Sequence, residues 1–488
     1  MELGTVLIPN NEFYHGGIPM SWKNLEAKID AFIAENKENV INDITTLVKY
    51  PSVRGDAVDG APFGVECKKV LDKALEMCAD YGFATKNYDY YAGSASIGDK
   101  EKEISIMGHL DIVPVGDGWS NDPYTVVEKE GYLYGRGVDD DKGPLVLGLY
   151  ALRFLKEHNI PLNYTYRLVM GCNEETGMRD VAKLLEMEKT PTFMFTPDAG
   201  FPVINGEKGI MGATGKFTTD GAHIVNFCGG SASNIVNDYC TATLKGIKKE
   251  DLGELCPCKF EVVDCECGCG VKLSAKGVAS HAASPANSTN AIYLLAEKLS
   301  TVEALTEAER ECMAKIAATL ADYNGVGLGI DCEDEPSGKI THVSGIASQE
   351  GTVITLNYNI RYPVLANGAE LKERLENHAK AHGFVGEVYN DSKPSYRAAD
   401  TAEVKALLSA YIDVTGNDAT PLVMGGGTYA RKFPNAVAFG PGFPGTPNPA
   451  GAGKGGAHQI DECICIENMW KALKVYIAAL LNLNELEL

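Results

Sequence analysis

The sequence predicts an α/β domain with a helix-covered mixed or parallel sheet, interrupted by an inserted α+β domain. Strand-like runs alternate with helical patterns through residues 103–200, which is typical of a sheet with parallel strand pairs under helices. After residue 205 the chain changes to short β-like runs rich in Gly and Thr, and the alternation returns near residue 395. Since 488 residues exceed what one hydrophobic core usually organises, we predict the segments 1–205, 206–394 and 395–488.

Hydrophobic periodicity and helix-ending residues place the elements of the first segment. We predict two helices within 22–49, a helix in 62–82 that ends at a glycine, a strand at 103–111, a helix at 144–159 with proline near its start, a strand at 164–175, a helix at 179–187 and a strand at 191–200.

The same periodicities place the later elements. We predict a helical stretch at 288–321, a strand at 352–363, a helix at 367–383, a β-like run at 384–391, a helix at 401–415, a strand at 435–442 and a long C-terminal helix at 461–484.

Charge and hydropathy exclude several classes of partner. The net charge of −22 opposes binding to nucleic acid or to an anionic membrane, although local charge can still favour a small anionic substrate. No apolar run reaches transmembrane length, and residues 1–17 lack the basic start and apolar core of a secretory signal. We therefore expect a cytoplasmic protein without a nucleic-acid or membrane partner.

The 14 cysteines are mostly scattered, which is typical of reduced thiols in a large chain without a signal. Five of them fall within the segment 256–270, namely Cys256, Cys258, Cys265, Cys267 and Cys269. Cys-x-Cys pairs can bind soft metals, so a structural zinc site is one interpretation. The spacing is not the usual zinc pattern, and the segment also reads as two strands joined by a polar turn.

Several predicted strands and one loop end in metal-binding residue types. Ligand sites of open α/β sheets lie beyond the carboxyl ends of the strands. The residues at these positions are His109 with Asp111, Glu174 with Glu175, Asp198, and the loop acids Asp139, Asp140 and Asp141. Taken singly, each group could be a solvated turn or a helix cap. Together, so many carboxylates at one sheet edge would repel one another, and a bound divalent cation is the usual remedy.

The residue types indicate which ions and which chemistry. Histidine with carboxylates suits zinc, and such mixed sites also accept manganese or cobalt. Of two adjacent glutamates, one can bind metal while its neighbour takes a proton from water. A bridging aspartate would hold two ions about 3.5–4 Å apart, which suits carbonyl polarisation and hydrolysis.

The ordered motifs "GHLD", "GRGVDDDKGP", "NEETG", "TPDA" and "GGAHQIDE" resemble the dinuclear zinc metallopeptidases related to aminoacylase and carboxypeptidase G. The phrases "TPDAGFPVINGEKG", "GVASHAASPANSTNA" and "VMGGGTYAR" resemble the bacterial peptidase V-like dipeptidases of that family, over nearly the whole chain. This resemblance implies a catalytic α/β domain with an inserted lid at 206–394, two divalent ions and hydrolysis of dipeptides.

The resemblance also implies roles for individual residues. The metal ligands would be His109, Glu175, Asp198, His458 and Asp140. Asp140, which is flanked by Asp139 and Asp141, would bridge the two ions. Asp111 would orient His109, and Glu174 would be the general base.

Five further residues and one lid histidine match substrate-binding positions of the family. His281 would stabilise the oxyanion, and Arg361 would bind the substrate carboxylate through its bidentate guanidinium. Asn234 would lie near the same oxygen as His281, and Gly426, Gly427 and Thr428 would bind a carboxylate through amides and a hydroxyl. Without the resemblance, the alternatives are a core histidine, a surface strand arginine and a tight turn, and a non-functional interpretation is favoured for Asn234 and for the turn.

Two other functions remain open from the sequence. One is deacylation of an N-acyl amino acid, because that reaction also breaks an amide beside a carboxylate. The family's deacylases often carry glutamate where this chain has Asp198, which favours dipeptides. The other is a non-catalytic metal-binding protein, which would not need the base Glu174. We expect a monomer that closes its own site, with a homodimer as the alternative.

Overall fold

The structure is a computed structural model that describes residues 22–488. The segment 1–17, from which we predict the absence of a secretory signal, lies outside the described residues.

Within the described residues the chain forms nine α-helices. They are α1 (Trp22–Val48), α2 (Val65–Asp80), α3 (Lys142–Glu157), α4 (Arg179–Met187), α5 (Ala291–Leu299), α6 (Glu307–Leu320), α7 (Gly368–Ala381), α8 (Ala402–Thr415) and α9 (Ile466–Asn484).

The strands of the same part of the chain belong to two large sheets and several small ones. They are β1 (Ala84–Tyr88), β2 (Ala92–Ile97), β3 (Glu103–His109), β4 (Val127–Lys129), β5 (Tyr132–Tyr134), β6 (Thr165–Gly171), β7 (Phe193–Thr196), β8 (Ala199–Gly200), β9 (Ile204–Glu207), β10 (Gly209–Thr218), β11 (Ile224–Gly229), β12 (Tyr239–Lys245), β13 (Phe260–Asp264), β14 (Gly270–Lys276), β15 (Glu333–Asp334), β16 (Gly338–Lys339), β17 (Thr341–Glu350), β18 (Val353–Tyr362), β19 (Val385–Ser392), β20 (Ser395–Tyr396), β21 (Leu422–Met424), β22 (Ala436–Ala438), β23 (Pro441–Gly442) and β24 (Cys463–Cys465).

The chain divides into two compact units. Unit 1 holds the described residues up to Ile204 together with Arg397–Pro421 and Thr428–Leu488, and unit 2 holds Asn205–Tyr396 and Leu422–Gly427. Unit 1 is of the α/β type and unit 2 of the α+β type, so the predicted fold class is confirmed.

The sheet of unit 1 has a parallel centre. Its strands run in the order β1-β2-β6-β3-β7-β22, with β3 parallel to both β6 and β7, and β22 parallel to β7. The outer pairs β1–β2 and β2–β6 are antiparallel. Because β3, β6 and β7 run the same way, their carboxyl ends lie at one edge of the sheet.

Helices α1, α3 and α9 share one hydrophobic core with this sheet. Helix α3 is buried along almost its whole length, and its Pro144 lies in the first turn, where no backbone N–H is needed. Its first residue, Lys142, is also buried, and its ammonium donates to the carbonyls of Leu47 and Tyr50 at 3.1 and 2.8 Å.

Two predictions for helices of unit 1 were wrong, one on their number and one on a boundary. Residues 22–48 form one helix rather than two, since the segment contains neither Gly nor Pro and the buried Asn36 side chain donates to the carbonyl of Phe32 within the helix. The C-terminal helix begins at Ile466, not at 461, because Cys463–Cys465 pairs as β24 with β5.

Unit 2 contains an eight-stranded antiparallel sheet in the order β13-β14-β12-β11-β17-β18-β10-β19. Helices α5, α6 and α7 bury its core together with one face of the sheet. The cysteine-rich segment forms the hairpin of β13 and β14, as the reading of two strands joined by a turn predicts.

Within residues 22–488, none of the helices combines the length and the apolar composition that a membrane crossing requires.

Candidate metal centre and active site

Three neighbouring strands of unit 1 deliver the predicted metal-binding residues to one edge of its sheet. His109 is the last residue of β3, Glu174 and Glu175 follow β6, and Asp198 follows β7. In the described residues, two groups hold ligand atoms within 4.8 Å of one another: His109 with Asp140 and Glu175, and His109 with Glu174 and Asp198. Neither group contains a cysteine.

His109 is fully buried, and both of its ring nitrogens have partners. Its Nδ1 lies 2.8 Å from the backbone carbonyl oxygen of Asp111, and its Nε2 lies 3.0 Å from Asp140 Oδ1 and 3.8 Å from Asp198 Oδ2. A carbonyl only accepts, so Nδ1 carries a proton, and Nε2 is the nitrogen at which a metal ion would replace a proton. The hydrogen bond to Asp111 therefore aims the metal-binding nitrogen of His109 at the carboxylates.

Asp140 lies between the two histidines. Its Oδ1 faces His109, and its Oδ2 lies 3.0 Å from His458 Nε2. His458 Nε2 also lies 3.0 Å from Glu175 Oε2, and the His458 backbone has a φ of 63°, in the left-handed region that non-glycine residues rarely adopt. The carboxylate of Asp140 is therefore shared by both ends of the cluster.

The two neighbours of Asp140 have different surroundings. The carboxylate of Asp141 accepts the backbone N–H of His109 at 3.0 Å, and a Cβ at Gly108 would overlap that carboxylate. Asp139 is half-buried, and its backbone N–H donates to Glu462. Of the three consecutive aspartates, Asp140 has its side chain directed at both histidines.

Asp111 orients His109 through its backbone carbonyl, while its carboxylate holds the glutamates. The carboxylate of Asp111 lies 3.6 Å from His109 Nδ1 and accepts the backbone N–H groups of Glu174 at 3.1 Å and Glu175 at 3.2 Å. From the sequence, Asp111 is predicted only to orient the imidazole of His109. In the structure it also fixes the turn that carries both glutamates.

Electrostatics at this edge favour a cation. Burial raises the pKa of Glu174 and of Asp198 well above their usual values, and it raises the pKa of Asp111 to about 7. Hydrogen bonds with Asp140 and Glu175 raise the pKa of His458 to about 10. Divalent cations at the cluster would oppose these rises, because they stabilise the charged carboxylates and compete with protons for the imidazoles.

Buried carboxylate oxygens without hydrogen-bond partners also favour a bound cation. Among the described residues, Glu174 Oε1 and Glu175 Oε1 are buried and accept no hydrogen bond. An unpartnered buried carboxylate oxygen is costly, and metal coordination removes that cost. Two imidazoles and four carboxylates are also the donor set that zinc, manganese and cobalt accept, so the residues present fit two divalent ions.

Glu462, which the sequence motifs did not single out, joins the loop of Asp140 to the loop of His458 by hydrogen bonds. The Glu462 side chain is fully buried, and one oxygen accepts the N–H groups of Gly137, Asp139 and Asp140 at 2.9, 2.9 and 3.2 Å. Its other oxygen accepts from Arg136 Nη1 at 2.6 Å. The only available signal was the acidic end of the motif "GGAHQIDE".

Asp180 and Tyr429 were also missed. The buried carboxylate of Asp180 accepts the N–H groups of Cys172 and Asn173, both at 2.9 Å, and the hydroxyl of Tyr429. A Cβ at Gly171 would overlap both the Tyr429 hydroxyl and this carboxylate. These contacts hold the start of the loop that carries Glu174, and Asp180 gave no signal because it reads as an ordinary first-turn helix residue.

Unit 2 brings together two of the predicted substrate-binding segments. Ile235 and His281 form an isolated β-bridge, and the N–H of Ala282 donates to the carbonyl of Asn234 at 2.9 Å. Asn234 and His281 therefore lie on adjacent stretches of backbone. The Nδ1 of His281 accepts the N–H of Ala283 at 3.2 Å, which leaves Nε2 as the N–H donor.

Arg361 is buried in unit 2 on strand β18. Its Nε donates to Asn359 Oδ1 at 2.8 Å, and its Nη1 donates to the carbonyl of Gly425 at 2.8 Å. Arg361 thus lies beside the segment 422–427, which contains Gly426 and Gly427.

Thr428 belongs to unit 1, where its hydroxyl accepts the N–H of Ala430 at 3.2 Å and caps a short helical turn.

Comparisons with known proteins identify the family. The model of "Peptidase family M20/M25/M40" matches residues 105–482, which confirms the resemblance to the dinuclear metallopeptidases. A relative from Bacillus subtilis (strain 168) is 35% identical over 465 residues, covering 92% of this chain and 98% of its own. One from Staphylococcus haemolyticus (strain JCSC1435) is 28% identical, with the same coverages. Both are named "Putative dipeptidase".

Solved structures share the fold. Human carnosine dipeptidase 1 aligns with a TM-score of 0.57 at 15% identity, covering 95% of this chain and 99% of its own. The aminoacylhistidine dipeptidase of Vibrio alginolyticus aligns with a TM-score of 0.55 at 12% identity, covering 90% and 96%.

Proposed function

Because this chain belongs to peptidase family M20/M25/M40, we propose that it is a metal-dependent dipeptidase that hydrolyses the peptide bond of dipeptides. The observation that carries the proposal is the cluster of unit 1, where two imidazoles and four carboxylates lie close together. Two of its buried carboxylate oxygens have no hydrogen-bond partner among the described residues. The names of relatives that match this chain over 92% of its length support dipeptides as the substrate class.

We assign the ions to two overlapping sets of ligands. His109 and Asp198 would hold one ion, Glu175 and His458 the other, and Asp140 would bridge them. Zn²⁺ is the ion we propose, with Mn²⁺ and Co²⁺ as alternatives that suit the same ligands. When bound, the two ions would supply Lewis-acid polarisation of the scissile carbonyl and make a water molecule more acidic.

Glu174 is the proposed general base. It would take the proton of the attacking water and later deliver it to the leaving amine nitrogen. Its backbone is held by Asp111, and its Oε1 is unpartnered within the described part of the chain. Burial raises the pKa of the Glu174 carboxyl above its usual value, which favours transfer of a proton to it.

We propose substrate-binding roles for residues of unit 2 and for Thr428. The Nε2–H of His281 would donate to the oxyanion, with Asn234 near the same oxygen. Arg361 would bind the substrate carboxylate together with the amides of Gly426 and Gly427 and the hydroxyl of Thr428. A lid role for residues 206–394 belongs to this proposal, as do a monomeric assembly and a cytoplasmic location.

The test compares substrates and ions on one preparation. The protein is dialysed against a chelator, its metal content is measured by elemental analysis, and hydrolysis of dipeptides and N-acyl amino acids is assayed with Zn²⁺, Mn²⁺ or Co²⁺ restored. We expect no turnover without metal and turnover of dipeptides with it. Full activity in a metal-free preparation would contradict the metal centre. Turnover of N-acyl amino acids but not of dipeptides would instead identify a deacylase.

A further inference from the structure

The proposed activity leaves one cluster of nucleophilic side chains unused: the five cysteines at 256–269, around the hairpin of β13 and β14 in unit 2. All the other free cysteines of the described chain are buried or half-buried, whereas Cys256 and Cys258 are exposed. The chain thus concentrates its accessible thiols at one place on its surface.

Cys256 and Cys258 form a pair of adjacent thiols before β13. Their sulfur atoms lie 2.7 Å apart, within hydrogen-bond distance. The carbonyl of Cys256 accepts the N–H groups of Lys259 at 3.0 Å and Phe260 at 2.9 Å, which closes a tight turn. This turn places the two side chains on the same side of the backbone.

A second Cys-x-Cys pair lies in the turn between the strands. Cys267 and Cys269 are joined by a disulfide, with their Cα atoms 5.3 Å apart. The turn is closed by two backbone hydrogen bonds, from Cys265 to the carbonyl of Gly270 at 2.9 Å and from Gly268 to that of Cys265 at 2.8 Å. A Cys-x-Cys spacing on this hairpin is therefore compatible with a closed disulfide.

The arrangement favours pairwise thiol chemistry over a structural metal site. A zinc site needs three or four converging ligands, and the metal-binding groups found within residues 22–488 contain no cysteine. The two pairs lie at opposite ends of the five residues of β13, which span about 17 Å in an extended strand. At that separation the two pairs cannot share one ion.

We propose that Cys256 and Cys258 are a redox-active dithiol that exchanges with low-molecular-weight disulfides of the glutathione type. The Cys256 thiolate attacks one sulfur of the disulfide, forms a mixed disulfide and releases one thiolate. The Cys258 thiolate then attacks the sulfur of Cys256, forms the intramolecular disulfide and releases the second thiolate. The protein loses two electrons and two protons, and the small disulfide is reduced to two thiols.

The order of the two cysteines follows from their hydrogen bond. Either sulfur can donate it, and donation by the Cys258 thiol lowers the pKa of Cys256, so the attacking thiolate forms more readily at Cys256. Cys258 lies at hydrogen-bond distance from Cys256 and can resolve the mixed disulfide without a rearrangement of the backbone.

The test incubates the reduced full-length protein with mixtures of reduced and oxidised glutathione, traps free thiols by alkylation and maps the peptides by mass spectrometry. In the wild type we expect the peptide of Cys256 and Cys258 to accumulate an intramolecular disulfide as the oxidised fraction rises. In Cys258→Ser we expect the same peptide to stop at one glutathionyl adduct on Cys256. The buried Cys312 serves as the internal control and should stay free of adducts.

Two outcomes would overturn the inference. One is a wild-type protein in which both thiols remain alkylatable at every glutathione ratio. The other is a wild-type protein that stops at the mixed disulfide just as Cys258→Ser does, which would reduce the pair to two ordinary exposed thiols. In a variant with Cys267→Ser and Cys269→Ser, a disulfide between Cys256 and Cys258 cannot arise by thiol–disulfide exchange with the second pair. Its formation in that variant therefore reports exchange with glutathione alone. Hydrolysis of a dipeptide by each variant reports on folding, independently of the thiol readout.

Discussion

Glu462→Gln is the substitution that tests how the metal centre is held. The carboxylate of Glu462 accepts from Arg136 on one oxygen and from the N–H groups of Gly137, Asp139 and Asp140 on the other. Glutamine keeps the shape of the side chain and one accepting oxygen, but it removes the negative charge. Its NH₂ group would either face the guanidinium of Arg136 or displace the backbone donors.

The expected loss follows from burial, because Glu462 and Arg136 are 0% and 1% exposed. Removing one partner of a buried ion pair leaves an uncompensated charge and costs about 3–5 kcal/mol of unfolding free energy. The loop held by Glu462 carries Asp140, which lies 3.0 Å from both His109 and His458. Loss of a group that holds a metal ligand in place typically weakens metal binding by about 10–100-fold.

The assay is denaturant unfolding together with metal titration, at a pH above 8 because burial raises the pKa of Glu462 to about 7. Glu26→Gln is the matched control, since Glu26 is half-exposed and pairs with Lys474 at 2.9 Å on the surface. Removing such a surface pair costs at most about 1 kcal/mol. If Glu462→Gln loses no more stability than Glu26→Gln and keeps the wild-type metal affinity, Glu462 does not hold the loop.

Three further outcomes are expected. Glu174→Gln should retain both ions and lose most turnover, whereas Glu175→Gln should lower metal content by elemental analysis; the reverse pattern would exchange the two roles. His281→Ala should keep its metal and lower kcat by about 10²–10³-fold, and Arg361→Ala should raise KM for a dipeptide but not for its C-terminal amide; near wild-type kinetics for His281→Ala would remove it from the chemistry. Burial lowers the pKa of His342 below 6.5, so as the pH drops below 6.5 the unfolded chain takes up a proton at this residue before the folded chain does, and stability falls. In thermal melts, the Tm of His342→Gln should decrease less steeply with falling pH than that of the wild type. Equal slopes would contradict this linkage.

The sequence by itself determined the type of fold and the residue types of the candidate site. Strand–helix alternation is a local property, so β3, α3, β6 and α4 could be predicted from periodicity and from the residues that end helices. The metal-binding residues could be named because each follows a strand end or lies in a recognisable motif. Their meeting at one edge follows from parallel strands, since the carboxyl ends of such strands lie side by side.

Only the tertiary structure decided how these residues are held and which of several neighbours takes which position. A sequence pattern does not distinguish adjacent residues of a loop, although their side chains point in different directions. In the structure, Asp140 faces both histidines while Asp141 accepts the N–H of His109. The supporting contacts join residues far apart in the chain, such as Glu462 with Arg136 and Tyr429 with Asp180. Such pairs depend on how whole elements pack, and no local periodicity or spacing in the sequence encodes that packing.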